Sequence, residues 1–153
     1  MDEPAQPRDQ KPEQSEGAPA RASAADILHF ERWLGLLGEY RATDAHLSVG
    51  TVPALRIDGA IKPLMEEGVI SAEQIERIAE HLLEQNEREL LYNRKQLIVS
   101  KTLKKSMRFR MHFFYSRGFL GISMRYVPQA VTPLAELPHA SILTPLVSAT
   151  QGL

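Results

Sequence analysis

The sequence predicts an α+β fold in which helices pack on one face of a mostly antiparallel sheet. Three observations carry that expectation. Residues 25–40 and the stretch after Ser71 place apolar side chains at helical spacing. Several other stretches alternate apolar and polar residues with period two, each bounded by Gly or Pro. Finally, the order runs helix, two strands, helix, three strands, and grouped strands without intervening helices pair antiparallel.

The elements follow in order. Residues 1–25 hold Pro4, Pro7, Pro12 and Pro19 and almost nothing large and apolar. They cannot bury enough surface to offset the entropy of ordering, so a disordered tail is expected. The folded domain is expected over residues 26–130. Ile27, Leu28, Phe30, Trp33, Leu34, Leu36 and Leu37 form a broad stripe on the first helix. Ala45, Leu47 and Val49 alternate with His46 and Ser48; beyond Gly50 and Pro53, Leu55 and Ile57 alternate with Arg56 and Asp58. Asp58-Gly59 marks a turn, after which Ile61 is expected to continue the apolar face.

Ser71-Ala72-Glu73-Gln74 has the form of a capping box opening a second helix. Its buried stripe is Ile75, Ile78, Ala79, Leu82 and Leu83, with Leu90 and Leu91 near its end. Gln96–Ser100 is a short strand candidate. In 107–114, Met107, Phe109, Met111 and Phe113 share one face, and Arg108, Arg110 and His112 the other. Ser116-Arg117-Gly118 forms a turn into a strand with Leu120, Ile122, Met124 and Tyr126 on one side and Phe119, Ser123 and Arg125 on the other. Past Pro128, the prolines at 133, 138 and 145 leave room only for short helical pieces.

The net charge of −1 hides a separation. Residues 26–93 carry 13 acids and six bases, whereas residues 94–125 carry nine bases and no acid. A basic patch of that density attracts phosphates or acidic protein surfaces. Within it, Arg108, Arg110 and Arg125 are the candidate binding residues, because guanidinium forks match phosphate geometry and stay charged. Arg110 and Arg125 lie 15 residues apart across a hairpin and could converge on one ligand. The plainer alternative is the solvated face of an edge hairpin. Phe109, Phe113, Phe114 and Tyr115 interleave with bases as in a base-stacking platform, though Phe109 and Phe113 lie on the apolar face.

Other chemistries lack their parts. There is no cysteine, and the histidines at 29, 46, 81, 112 and 139 have no ligand spacing, so no metal site is expected. Neither a Gly-x-Gly-x-x-Gly nor a Gly-x-x-x-x-Gly-Lys-Ser/Thr loop occurs. No run reaches the roughly 20 apolar residues of a spanning helix.

Asp44-Ala45-His46-Leu47-Ser48-Val49-Gly50, with Pro53-Ala54-Leu55-Arg56-Ile57-Asp58-Gly59 after it, resembles the amino-terminal domain of the PilT-like type IV pilus retraction ATPases of the secretion ATPase superfamily. Arg108-Phe109-Arg110, Arg117-Gly118 and Met124-Arg125-Tyr126-Val127-Pro128 resemble that family's second signature. Leu134-Ala135-Glu136-Leu137 and Gln151-Gly152-Leu153 resemble its linker. The resemblance implies a PAS-like domain joined through a linker, here 131–153, to a RecA-like motor domain that these 153 residues do not contain. It implies a cytoplasmic homo-hexameric ring at the inner-membrane base of a pilus or secretion machine, docked on platform components. ATP and Mg would be bound only with the motor domain, so the chain alone is expected not to be an enzyme. Arg110 and Arg125, and more weakly Arg108, would reach the ATP phosphates. The other reading is a stand-alone PAS-like module whose basic hairpin binds nucleic acid or an acidic protein, nucleic acid being the less favoured partner.

Overall fold

A computed structural model describes residues 24–151. Most of the expected tail, residues 1–23, lies outside the described residues; Ala24 and Ala25 open the first helix instead. The chain forms α1 (Ala24–Glu39), β1 (Asp44–Ser48), β2 (Ala54–Ile57), β3 (Ala60–Pro63), α2 (Ala72–Leu82), α3 (Gln85–Arg94), β4 (Gln96–Leu103), β5 (Met107–Ser116) and β6 (Phe119–Val127). A 3₁₀ turn at Leu134–Glu136 and α4 (Ala140–Ser148) follow.

The six strands make one antiparallel sheet in the order β3-β2-β1-β6-β5-β4. It is two three-stranded meanders joined along a central β1–β6 seam. Ala45, Leu47, Leu55, Phe109, Met111, Phe113, Ile122 and Met124 are buried on its inner face. Phe30, Trp33, Leu34 and Leu37 of α1 and Ile75, Ile78, Ala79 and Leu82 of α2 complete the same core. Period-two alternation thus delivers one dry face and one polar face, as the arginine strands predicted.

Three local expectations are corrected. Leu28 is 66% exposed, so the α1 stripe is narrower than the apolar residues suggested. Ile61 does not continue the apolar face: Asp58 and Gly59 have φ of 50° and 81°, and this two-residue turn pairs Ile61 with Arg56 on the polar face. The segment is a third strand, so the sheet has six strands rather than five. The single helix expected after Ser71 is two. Ser71 Oγ accepts from Gln74 N at 3.1 Å as expected, but the reciprocal box forms at Glu84 and Glu87, which restart the chain as α3. Leu91 is buried and Leu90 exposed. The short helical pieces expected past Pro128 are present as the 3₁₀ turn and the nine-residue α4; α4 runs through Pro145 because the carbonyl one turn earlier, at Ser141, belongs to an exposed residue and can bond water.

Candidate functional site

The polar face of the sheet is built in rows by strand register. One row reads Arg56, Asp44, Arg125, Arg110 across β2, β1, β6 and β5. Asp44 is its anchor. Only 5% exposed, its carboxylate accepts from Thr43 Oγ1 at 2.8 Å and from Arg125 Nε at 2.8 Å, with Arg56 Nε at 3.5 Å. Burial alone would raise the Asp44 pKa; the Thr43 hydroxyl and the Arg125 guanidinium outweigh it and hold the group below its ordinary value.

The geometry at Arg125 decides what the row can do. Asp44 engages the Nε edge, while the Arg125 side chain remains 67% exposed. A buried carboxylate therefore fixes the direction of the guanidinium and leaves its terminal nitrogens outward. Arg110 stands directly across from Arg125 and makes no ion pair among the described residues. Like charges facing each other across a ladder repel, and Asp44 can neutralise one guanidinium, not three. The row therefore carries excess positive charge, and a groove of about 150 Å³ lined by Asp44, Arg110, Ser123 and Arg125 lies over it.

The next row reads His46, Ser123, His112. Ser123 Oγ lies 3.3 Å from His46 Nδ1. Burial holds the His46 pKa down, opposed by Asp44 and aided by Arg56 and Arg125, so the ring adds little charge near neutrality. On the other side of the arginine row, a cleft of about 710 Å³ opens between the end of α1 and the ends of β1 and β6. Leu37, Met107, Tyr126 and Pro128 make it apolar, and Arg41, Arg56 and Arg125 rim it.

Of the sequence-predicted residues, the structure brings Arg110 and Arg125 together. Arg108 shares their face but pairs with Val127, one row away. Arg117 sits in the β5–β6 turn, about 20 Å along the strand from Arg110. Phe109 and Phe113 are fully buried and cannot stack on bases. Lys101 is tied to Glu87, and Lys104 Nζ donates to the Glu31 carbonyl at 2.6 Å. The sequence alone assigns no role to Asp44, Thr43 or Arg56. Alternation does place Asp44 and Arg56 on the polar side of their strands, but only the β1–β6 register shows that they meet Arg125. Among the described residues, no three metal-ligating side chains cluster, and no helix is long and apolar enough to cross a membrane.

No family model matches the chain. The type IV pilus ATPase PilU of Pseudomonas aeruginosa is 25% identical over 126 residues, covering 82% of this chain and 33% of PilU. The crystal structure of the pilus retraction motor PilT with bound ADP matches with a TM-score of 0.64 and 27% identity, over 72% of this chain and 33% of PilT. The Legionella pneumophila ATPase DotB shares the fold, with a TM-score of 0.59 at 16% identity over 76% of this chain and 33% of DotB. The chain thus spans about a third of the length of the proteins it matches. By sequence the chain is similar to about a third of the pilus ATPases PilU and PilT, and by fold to the same share of PilT and DotB.

Proposed function

We propose that residues 26–130 are the ring-assembly and arginine-donating domain of a pilus retraction or related secretion ATPase, with 131–153 as the linker toward a RecA-like motor domain. Arg125 and Arg110, assisted by Arg108, contact the phosphates of ATP and Mg held on that motor domain, in the same or a neighbouring subunit of a homo-hexameric ring. The ring acts in the bacterial cytoplasm, at the inner-membrane base of the machine. The domain supplies charge and hydrolyses nothing by itself.

One observation supports this reading above the others: the Asp44-oriented Arg125 facing an Arg110 that makes no ion pair among the described residues. A guanidinium whose direction is already fixed loses little entropy on meeting a phosphate, and it stabilises charge on a transferring phosphoryl group. The test replaces the corresponding third of a pilus retraction ATPase with this domain. Arg110→Ala and Arg125→Ala should each lower kcat by about a hundredfold or more, with unchanged circular dichroism and ring assembly. Turnover equal to the unmutated chimera in both variants would overturn the assignment.

A further inference from the structure

The two edges of the sheet are treated differently. β3 has four residues and ends in Pro63, both devices that blunt an edge against pairing. β4 has eight residues, no proline, and one charge. That charge, Lys101, is held by Glu87 at 2.5 Å instead of guarding the edge.

The direction of the free backbone groups follows from register. Tyr115 N donates to Lys95 O at 3.0 Å across the β4–β5 pair, so residues 95, 97, 99, 101 and 103 spend their backbone groups on β5. Gln96, Ile98, Ser100 and Thr102 therefore aim N–H and C=O outward. All four are exposed, Ile98 at 52%. An extended chain laid along β4 would find a ladder of donors and acceptors already spaced for it.

Charge selects the occupant. Arg94 and Lys95 precede β4, Lys104 and Lys105 follow it, and Arg108 pairs with Thr102 on the neighbouring strand. No acid lies between residues 94 and 125. A second copy pairing antiparallel through the same edge would set its basic strand ends against these, like against like. An acidic strand meets complementary charge at both ends.

We infer that the open edge of β4 is a docking site for an acidic extended polypeptide of a partner protein, which adds as a seventh strand. Ser100 is the cross-strand neighbour of Arg110, so the edge borders the arginine row, but the inference uses the outward backbone groups of β4 and does not depend on that row's role. Backbone pairing supplies the binding, and the flanking bases supply the preference and the speed of encounter.

The probe is a blocked seven-residue peptide alternating Glu with Val or Thr, added to the full 153-residue chain. Hydrogen exchange at Ile98, Ser100 and Thr102 should slow in the complex by about tenfold or more, while the amides of Leu97, Val99 and Lys101 are already protected. A peptide with Lys in place of Glu should bind at least about tenfold more weakly, and the Glu peptide should lose affinity as salt rises. Ser100→Pro removes one outward N–H without touching the β5 ladder and should abolish binding. A peptide N-methylated at alternate residues makes the same test on the unmutated protein and should not bind. Equal binding by the Lys peptide, unchanged exchange at Ser100, or full binding by the methylated peptide would overturn the proposal. So would a dimer in sedimentation that Ser100→Pro dissolves, since the edge would then belong to a second copy.

Discussion

Asp44 combines burial with two strong donors, and its acidity carries a stability consequence. Its folded pKa lies below the unfolded value, so its contribution is present above about pH 4 and is lost as pH falls through the folded pKa. His46 also has a lowered pKa, caused first by burial. The unfolded chain binds that proton more readily, so stability declines as pH drops below about 6.5. Urea denaturation across pH 3–8 should show both declines. Asp44→Asn should shrink the acid limb, to which Glu87 with its lowered pKa also contributes, and cost about 1–3 kcal/mol at neutral pH, and His46→Gln should flatten the slope that begins below about pH 6.5. At Gly121, an added Cβ would sit 3.0 Å from the Phe114 ring, which lies across that glycine. Gly121→Ala should cost about 1–3 kcal/mol by crowding, and Phe114→Ala in the same chain should relieve part of it, as a double-mutant cycle would measure.

At the level of elements, the strong periodicities were legible. Phe109, Met111 and Phe113 alternate with charged or polar residues and could only form a strand with one dry face; Ser71 opens α2 as its sequence context says. What escaped reading has a physical cause in each case. The break between α2 and α3 contains neither Gly nor Pro, because Glu84 serves as an unusual N-cap with Glu87 as its partner. β3 is four exposed residues with no apolar face, so periodicity has nothing to report. The β5–β6 turn is a case of imperfect local chemistry. Arg117 and Gly118 both have positive φ, at 53° and 84°, which suits Asn-Gly better than Arg-Gly. Arg117→Asn should raise stability by about 0.5–1 kcal/mol, read as a higher Tm. A loss of stability would show instead that the Arg117 side chain does more than tolerate its backbone.

For the whole molecule, charge separation along the chain is visible by counting, and it singles out β5 and β6, which carry Arg110 and Arg125, but not Arg56 or Asp44 of the same row. The carboxylate that orients Arg125 was not visible in the same way, because Asp44 and Arg125 are 81 positions apart and meet only through strand register. That same seam sets the order in which the domain can assemble. The β1-β2-β3 and β4-β5-β6 meanders are each made of local hairpins, with closing turns of a few residues. The β1–β6 ladder alone joins them, and it brings together partners such as His46 and Ser123, 77 positions apart. High contact order at one ladder means that loop closure across the intervening helices is the slow step. During synthesis the sheet therefore stays open at its centre, and the arginine row stays unassembled, until β6 has emerged.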